Sequence, residues 1–126
     1  MHDGVRPLVS REIVARGLAA LKNADAVITA VAVKPTIKAI DLKTGFVRKT
    51  LEREALVEVQ TPQFFRRAAL VRAHEKFIRT EDTDAAMLLE LMKVPFKVVE
   101  GDYRNIKITT PEDLRIASEF LRRKGK

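Results

Sequence analysis

Ala26-Val27-Ile28-Thr29-Ala30-Val31-Ala32-Val33 is a continuous apolar run broken only by one hydroxyl. Without polar alternation it reads as a strand buried on both faces, as in a parallel sheet. Working back from it, Ser10 can cap a helix from Arg11 to about Lys22, with Ile13, Val14, Leu18 and Leu21 as a rough apolar stripe. Ahead of that helix, Met1-His2-Asp3-Gly4-Val5-Arg6-Pro7 reads as a loop. Loop, helix and buried strand form the latter part of a βαβ unit, so a preceding strand is expected upstream.

Working forward, Thr36–Asp41 and Phe46–Leu51 are short segments joined by Leu42-Lys43-Thr44-Gly45, a hairpin pattern. The hairpin carries Lys38, Lys43, Arg48 and Lys49, with Arg53 just beyond it, and few large apolar residues. It would make a poor core element. Two readings stand side by side: an arm that packs on another subunit, and a solvated edge hairpin. Leu56, Val57 and Val59 lie in a strand that Pro62 is expected to end, with Phe64-Phe65 starting a helix through Arg79. Ala69, Leu70, Ala73 and Phe77 suit its buried face. Thr83 can cap a further helix containing Met87, Leu88, Leu91 and Met92, and Phe96–Glu100 is another strand. The whole reads as one incomplete α/β sheet domain over residues 1–126, with the arm at about 36–53.

Composition narrows the chemistry. Twenty-four basic against 17 acidic residues give a net charge of +7, which suits an anionic partner. The absence of cysteine excludes disulfides, zinc–thiolate sites and cysteine nucleophiles, and two histidines leave little for a histidine metal site. Scattered cations and 6% aromatic content argue against a nucleic-acid binder, although a non-catalytic basic binding or dimerisation module is the alternative of a different class. No apolar run reaches membrane-spanning length and no signal peptide is visible, so a cytoplasmic protein with no membrane partner is expected.

Gly101-Asp102-Tyr103-Arg104-Asn105-Ile106-Lys107-Ile108-Thr109-Thr110-Pro111-Glu112-Asp113-Leu114 places one lysine just before a strongly marked helix start. Thr110 suits the N-cap, Pro111 the first helical position, and Glu112 and Asp113 the positive end of the helix dipole. Thr110 and Asp113 have capping-box spacing. Lys107 is thus held in register, as a phosphate-handling cation would be; a surface lysine before a well-capped helix is the plainer reading. Asp3 and Arg6 share a loop expected at a strand's carboxyl end, where ligands of open α/β sheets bind. Asp3 there can hold Mg²⁺ or simply turn the chain before Gly4. Thr36, Thr61 and Thr83 each stand at a junction, placed to bind phosphate or to cap. Arg53 offers a planar fork to a phosphate or makes surface ion pairs. His2 reads as an orienting or packing residue. No G-x-G-x-x-G or P-loop pattern is present.

His2-Asp3-Gly4-Val5-Arg6-Pro7, Thr36-Ile37-Lys38, Thr50-Leu51-Glu52-Arg53, Gln60-Thr61-Pro62-Gln63-Phe64-Phe65, Thr83-Asp84 and Asn105 through Leu114 together resemble, in order and spacing, the 2-C-methyl-D-erythritol 4-phosphate cytidylyltransferases. The resemblance covers nearly the whole chain. It implies a Rossmann-like nucleotidyltransferase sheet with a projecting β-hairpin arm, and a homodimer interlocked through that arm. It implies CTP and a sugar-alcohol phosphate as substrates, Mg²⁺ as cofactor, and CMP transfer with release of pyrophosphate. By resemblance Asp3 contacts Mg²⁺ and substrate, with Arg6 in the same loop. Arg53 positions the methylerythritol phosphate from across the dimer, and Lys107 positions the nucleophile. Thr36, Thr61 and Thr83 line the pocket. Ribitol 5-phosphate cytidylyltransferases share part of these motifs and are the near alternative. Full members also carry an N-terminal glycine-rich loop with an arginine and a lysine. Their absence suggests a C-terminal portion, through truncation, a misplaced start codon or a split gene, and a chain inactive alone. Smaller departures are Lys34-Pro35 before Thr36 and Glu52 where Asp is usual.

Overall fold

The computed structural model describes residues 1–76 and 85–124. In chain order the elements are α1 (Arg11–Ala20), β1 (Ala26–Ala32), β2 (Lys38–Ile40), β3 (Val47–Thr50), β4 (Val57–Phe65), α2 (Arg67–Lys76), α3 (Ala85–Leu91), β5 (Phe96–Glu100) and α4 (Pro111–Lys124). They make a three-stranded mixed sheet, ordered β4-β1-β5, and a separate two-stranded hairpin, β2-β3.

β1 is the centre of the sheet and is buried on both faces, as its unbroken apolar run requires. It pairs parallel with β5 and antiparallel with β4. Both flanks of β1 are thus filled by strands of this chain. The same fact corrects the expected end of β4 at Pro62. The strand continues to Phe65, with Gln63, Phe64 and Phe65 opposite Ile28, Val27 and Ala26. Proline lacks an N–H, and the ladder absorbs it through a register shift between Ile28 and Thr29, with the Thr61–Pro62 peptide cis. Phe64 and Phe65 therefore belong to a strand, and α2 begins only at Arg67.

Helices cover both faces. Ser10 caps α1 by accepting from the Ile13 N–H, and Ile13 is fully buried, whereas Val14 and Leu18 remain largely exposed. Gly17 makes the close contact instead: a Cβ there would lie 2.0 Å from the Phe64 ring. On the other face Ala26, Ala69, Ala73 and Leu89 form the core, with Phe65, Leu70, Met92, Val94 and Phe96 packed against it. Phe65 and Phe96, on the two outer strands, meet edge to face at 6.4 Å. The expectations for Phe77, Arg79, Thr83 and Asp84 fall outside the described residues.

The arm is built by its turn. Asp41 accepts from the Lys43 and Thr44 N–H groups, and Arg48 pairs with the same carboxylate, which together hold it below the usual carboxylate range. Gly45 takes the left-handed conformation the turn needs, at φ 75°. Lys38 donates to Thr50 across the strands at 2.8 Å. Every β3 residue is exposed, and Leu42 and Phe46 are 91% and 76% exposed, so the arm contributes nothing to this chain's core.

Candidate functional site

Three segments converge on one cleft of about 340 Å³, lined by Met1, His2, Asp3, Arg6, Val59, Gln60, Thr61, Gln63 and Lys107. They are the loop at residues 2–6, the middle of β4, and the extended stretch before α4. Each is tied to the next. Ile108 N–H donates to Val5 C=O at 2.8 Å, joining the loop to the stretch that bears Lys107. Asp3 N–H donates to Thr61 Oγ1 at 2.9 Å, joining the loop to β4. Met1 and Gln63 exchange two backbone bonds of 2.7 and 2.8 Å.

Beneath the cleft lies a buried polar lock. Asn105 is fully buried; its Nδ2 donates to Thr61 C=O at 2.8 Å and its own C=O accepts from Arg6 Nη1 at 2.7 Å. Gln60, only 3% exposed, donates through Nε2 to Asp102 C=O and accepts the Asp102 N–H through Oε1. One asparagine thus fixes an arginine from one wall and a threonine from the other.

The charges face each other across this frame. Lys107 Nζ stands 3.5 Å from Asp3 Oδ2, and Arg6 Nε approaches the same oxygen at 3.7 Å. The Lys107 and Asp3 side chains stay 51% and 38% exposed, open to an incoming ligand. Arg6 Nε is buried without a hydrogen-bond acceptor. His2 is no bystander. Its Nε2 lies 3.1 Å from Arg6 C=O, which only accepts, so Nε2 carries the hydrogen; in the neutral ring Nδ1 then accepts from Thr61 Oγ1 at 3.0 Å. Of the orienting and packing readings of His2, these contacts favour the first.

Lys107 owes its register to the start of α4. Asp113 Oδ2 accepts from the Thr109 and Thr110 N–H groups, and Thr110 Oγ1 accepts from the Asp113 N–H, the reciprocal box expected from their spacing. Those donors pull the Asp113 carboxyl down to about 2.

Of the residues singled out in the sequence, Asp3, Arg6, Thr61 and Lys107 are brought together. Arg53 and Thr36 do not line this cleft within the chain: Arg53 Nη1 donates to Lys34 C=O at 2.8 Å, and Thr36 is exposed at the base of the arm. Thr83 lies outside the described residues. Gln60, Gln63 and Asn105 received no role from the sequence, although all three sit inside motifs quoted from it. The signal available was their polarity beside Val59, Phe64 and Ile106, apolar neighbours that mark a partly buried setting.

Solved structures share this fold. The 4-diphosphocytidyl-2C-methyl-D-erythritol synthase of Anaerococcus prevotii superimposes with a TM-score of 0.85 at 40% identity, over 96% of this chain and 57% of that one. The 2-C-methyl-D-erythritol 4-phosphate cytidylyltransferase of Thermus thermophilus gives 0.82 at 37% identity, over 96% and 60%. The fold is thus that of an α/β nucleotidyltransferase domain. Residues 1–123 match the sequence profile of the family described as IspD: 2-C-methyl-D-erythritol 4-phosphate cytidylyltransferase. An enzyme of that name from Caldanaerobacter subterraneus subsp. tengcongensis is 45% identical over 125 residues, 98% of this chain and 55% of the relative. The chain belongs to the IspD family. It spans a little over half the length of the relatives it matches. That extent is what the matches give; the expected assignment to the C-terminal portion is not borne out by them.

Proposed function

We propose that this chain supplies the substrate-positioning part of a cytidylyltransferase of isoprenoid biosynthesis, one that transfers CMP from CTP to 2-C-methyl-D-erythritol 4-phosphate. A phosphate oxygen of the methylerythritol phosphate attacks the α-phosphorus of CTP. The bond to the bridging oxygen breaks, and pyrophosphate leaves with its electron pair. The observation that carries the reading is the convergence of Lys107, Arg6 and Asp3 on one cleft. Two anions must approach each other, so fixed cations are needed to offset their repulsion and to spread transition-state charge. Lys107 holds the nucleophilic phosphate, with Asp3 aiming the lysine until substrate displaces it. Arg6 donates from beneath. Thr61, bonded to His2 and to the Asp3 N–H, holds the Asp3 loop against β4.

Arg53 and Thr36 reach the cleft from a second copy, carried by the arm of a homodimer. The exposed apolar arm tip supports this, since it is the kind of surface a partner covers. For Mg²⁺ the donors fit in a limited way. Among the described residues no three His, Asp or Glu side chains converge, and Asp3 alone offers a carboxylate in the cleft. One carboxylate suits a cation held chiefly by phosphate oxygens and water. Asp3 would hold it, and the ion would supply charge neutralisation between the phosphates.

The test has two parts on the purified chain. Calorimetry should show 2-C-methyl-D-erythritol 4-phosphate binding more tightly than ribitol 5-phosphate, with the binding lost in Lys107→Met. Mass spectrometry should show no CDP-methylerythritol from the chain with CTP and Mg²⁺. Equal binding by Lys107→Met overturns the site, and product formation overturns the division of labour.

A further inference from the structure

We infer that Gln63 is a specificity-determining residue of the cleft, its carboxamide reading hydroxyl groups on the carbon chain of the phosphorylated ligand. The inference rests on the cleft being a phosphate-ester site, as proposed above. Its two walls differ in kind. The loop and the stretch before α4 carry the charges of Asp3, Arg6 and Lys107, whereas β4 contributes the neutral polar residues Gln60, Thr61 and Gln63. Two of those three are committed. Gln60 is buried with both ends of its amide bonded to Asp102. Thr61 Oγ1 takes the Asp3 N–H and faces His2 Nδ1. Gln63 is half-buried, with its backbone anchored by Met1 and by pairing to β1, yet its side-chain amide has no hydrogen-bond partner among the described residues.

A free carboxamide offers two donors and one acceptor. Opposite a charged wall that takes the phosphate, such a group complements neutral groups that both donate and accept. Hydroxyls of a polyol chain are that chemistry. A site built to bond a hydroxyl rejects the analogue that lacks it, because its own polar group is then left unpaired.

The experiment titrates erythritol 4-phosphate and n-butyl phosphate, alike in phosphate and carbon count, into the whole chain by calorimetry. The readout is the ratio of the two affinities, which a general loss of structure does not select. The wild-type chain should favour the hydroxylated ester by roughly tenfold, the scale of one or two neutral hydrogen bonds. Gln63→Met, similar in shape without the amide, should bring the ratio near one. Lys107→Met should abolish binding of both esters alike. Should Gln63→Met fail to fold, Gln63→Asn, which withdraws the amide by one methylene, should still reduce the ratio. A ratio kept in the folded Gln63 variant, or a wild-type ratio near one, overturns the inference while leaving the cleft a phosphate site. Binding of neither ester, or binding indifferent to Lys107→Met, overturns the phosphate reading and this inference with it.

Discussion

Lys107 and Asp3 hold opposite charges 3.5 Å apart at the mouth of the cleft, and both are substantially solvated. A solvated pair of this kind contributes little to stability, under about 1 kcal/mol. Its consequence is for ligands, with opposite signs at the two residues. In metal-free buffer Lys107→Met should weaken inorganic phosphate binding, whereas Asp3→Asn should strengthen it by about threefold, because the competing anion is removed; calorimetry reads both. Asn105 is the contrasting case. Asn105→Ala leaves the partly buried Thr61 carbonyl without its donor and should cost about 1–3 kcal/mol, read by urea denaturation. Asp3 and Lys107 could be singled out locally, one before Gly4 in a loop and the other before a capped helix start, but those settings equally suit a turn residue and a surface lysine, and only the motif resemblance gave them a role. Asn105 could not be singled out, because its partners are Thr61 and Arg6, 44 and 99 residues away, and no local pattern encodes that meeting.

At the scale of the element, the start of α4 was fully legible. Its caps are local, and Thr110-Pro111-Glu112-Asp113 satisfies them within one turn. Asp113 titrates near 2 in the folded chain, below the 3.8 of an ordinary aspartate. The unfolded chain therefore takes up the proton first as pH falls. The cap's contribution is complete above about pH 4 and disappears as the pH drops through about 2. A carboxyl carbon titration by NMR should place the Asp113 midpoint there, and a midpoint near 4 would contradict the cap. β4 was half legible: Pro62 looked like a terminator because proline lacks a ladder donor, and only the register shift in β1 shows how the strand passes it. The arm's hairpin was readable from its turn, and its exposed Leu42 and Phe46 carry a prediction. If the arm joins two copies as proposed, replacing both with serine should turn that dimer into monomer in sedimentation without lowering the thermal midpoint, since neither side chain supports the core. A dimer that survives the change would place the interface elsewhere.

At the scale of the whole molecule, the α/β class followed from β1 alone, since a run apolar on both faces needs helices on both sides. What fills its flanks did not follow, because the pairing of β1 with β5 and β4 joins segments separated by up to 70 residues. Among the described residues no helix is long and apolar enough to cross a membrane. Val57 and Val59 on β4, Val14 and Leu18 on α1, and Leu114 and Ile116 on α4 are all exposed. The chain spans little more than half of its relatives. The central claim is that a sugar-alcohol phosphate is held by Lys107 of one copy and Arg53 of another. The direct measurement mixes Arg53→Ala and Lys107→Met chains, each unable to bind on its own, refolds them together, and counts binding sites for 2-C-methyl-D-erythritol 4-phosphate by calorimetry. If the arm delivers Arg53 across a two-fold axis, mixed dimers regain one intact site and roughly a quarter of all sites return. If the mixture binds no better than either variant alone, the two residues do not meet across copies and the account is contradicted.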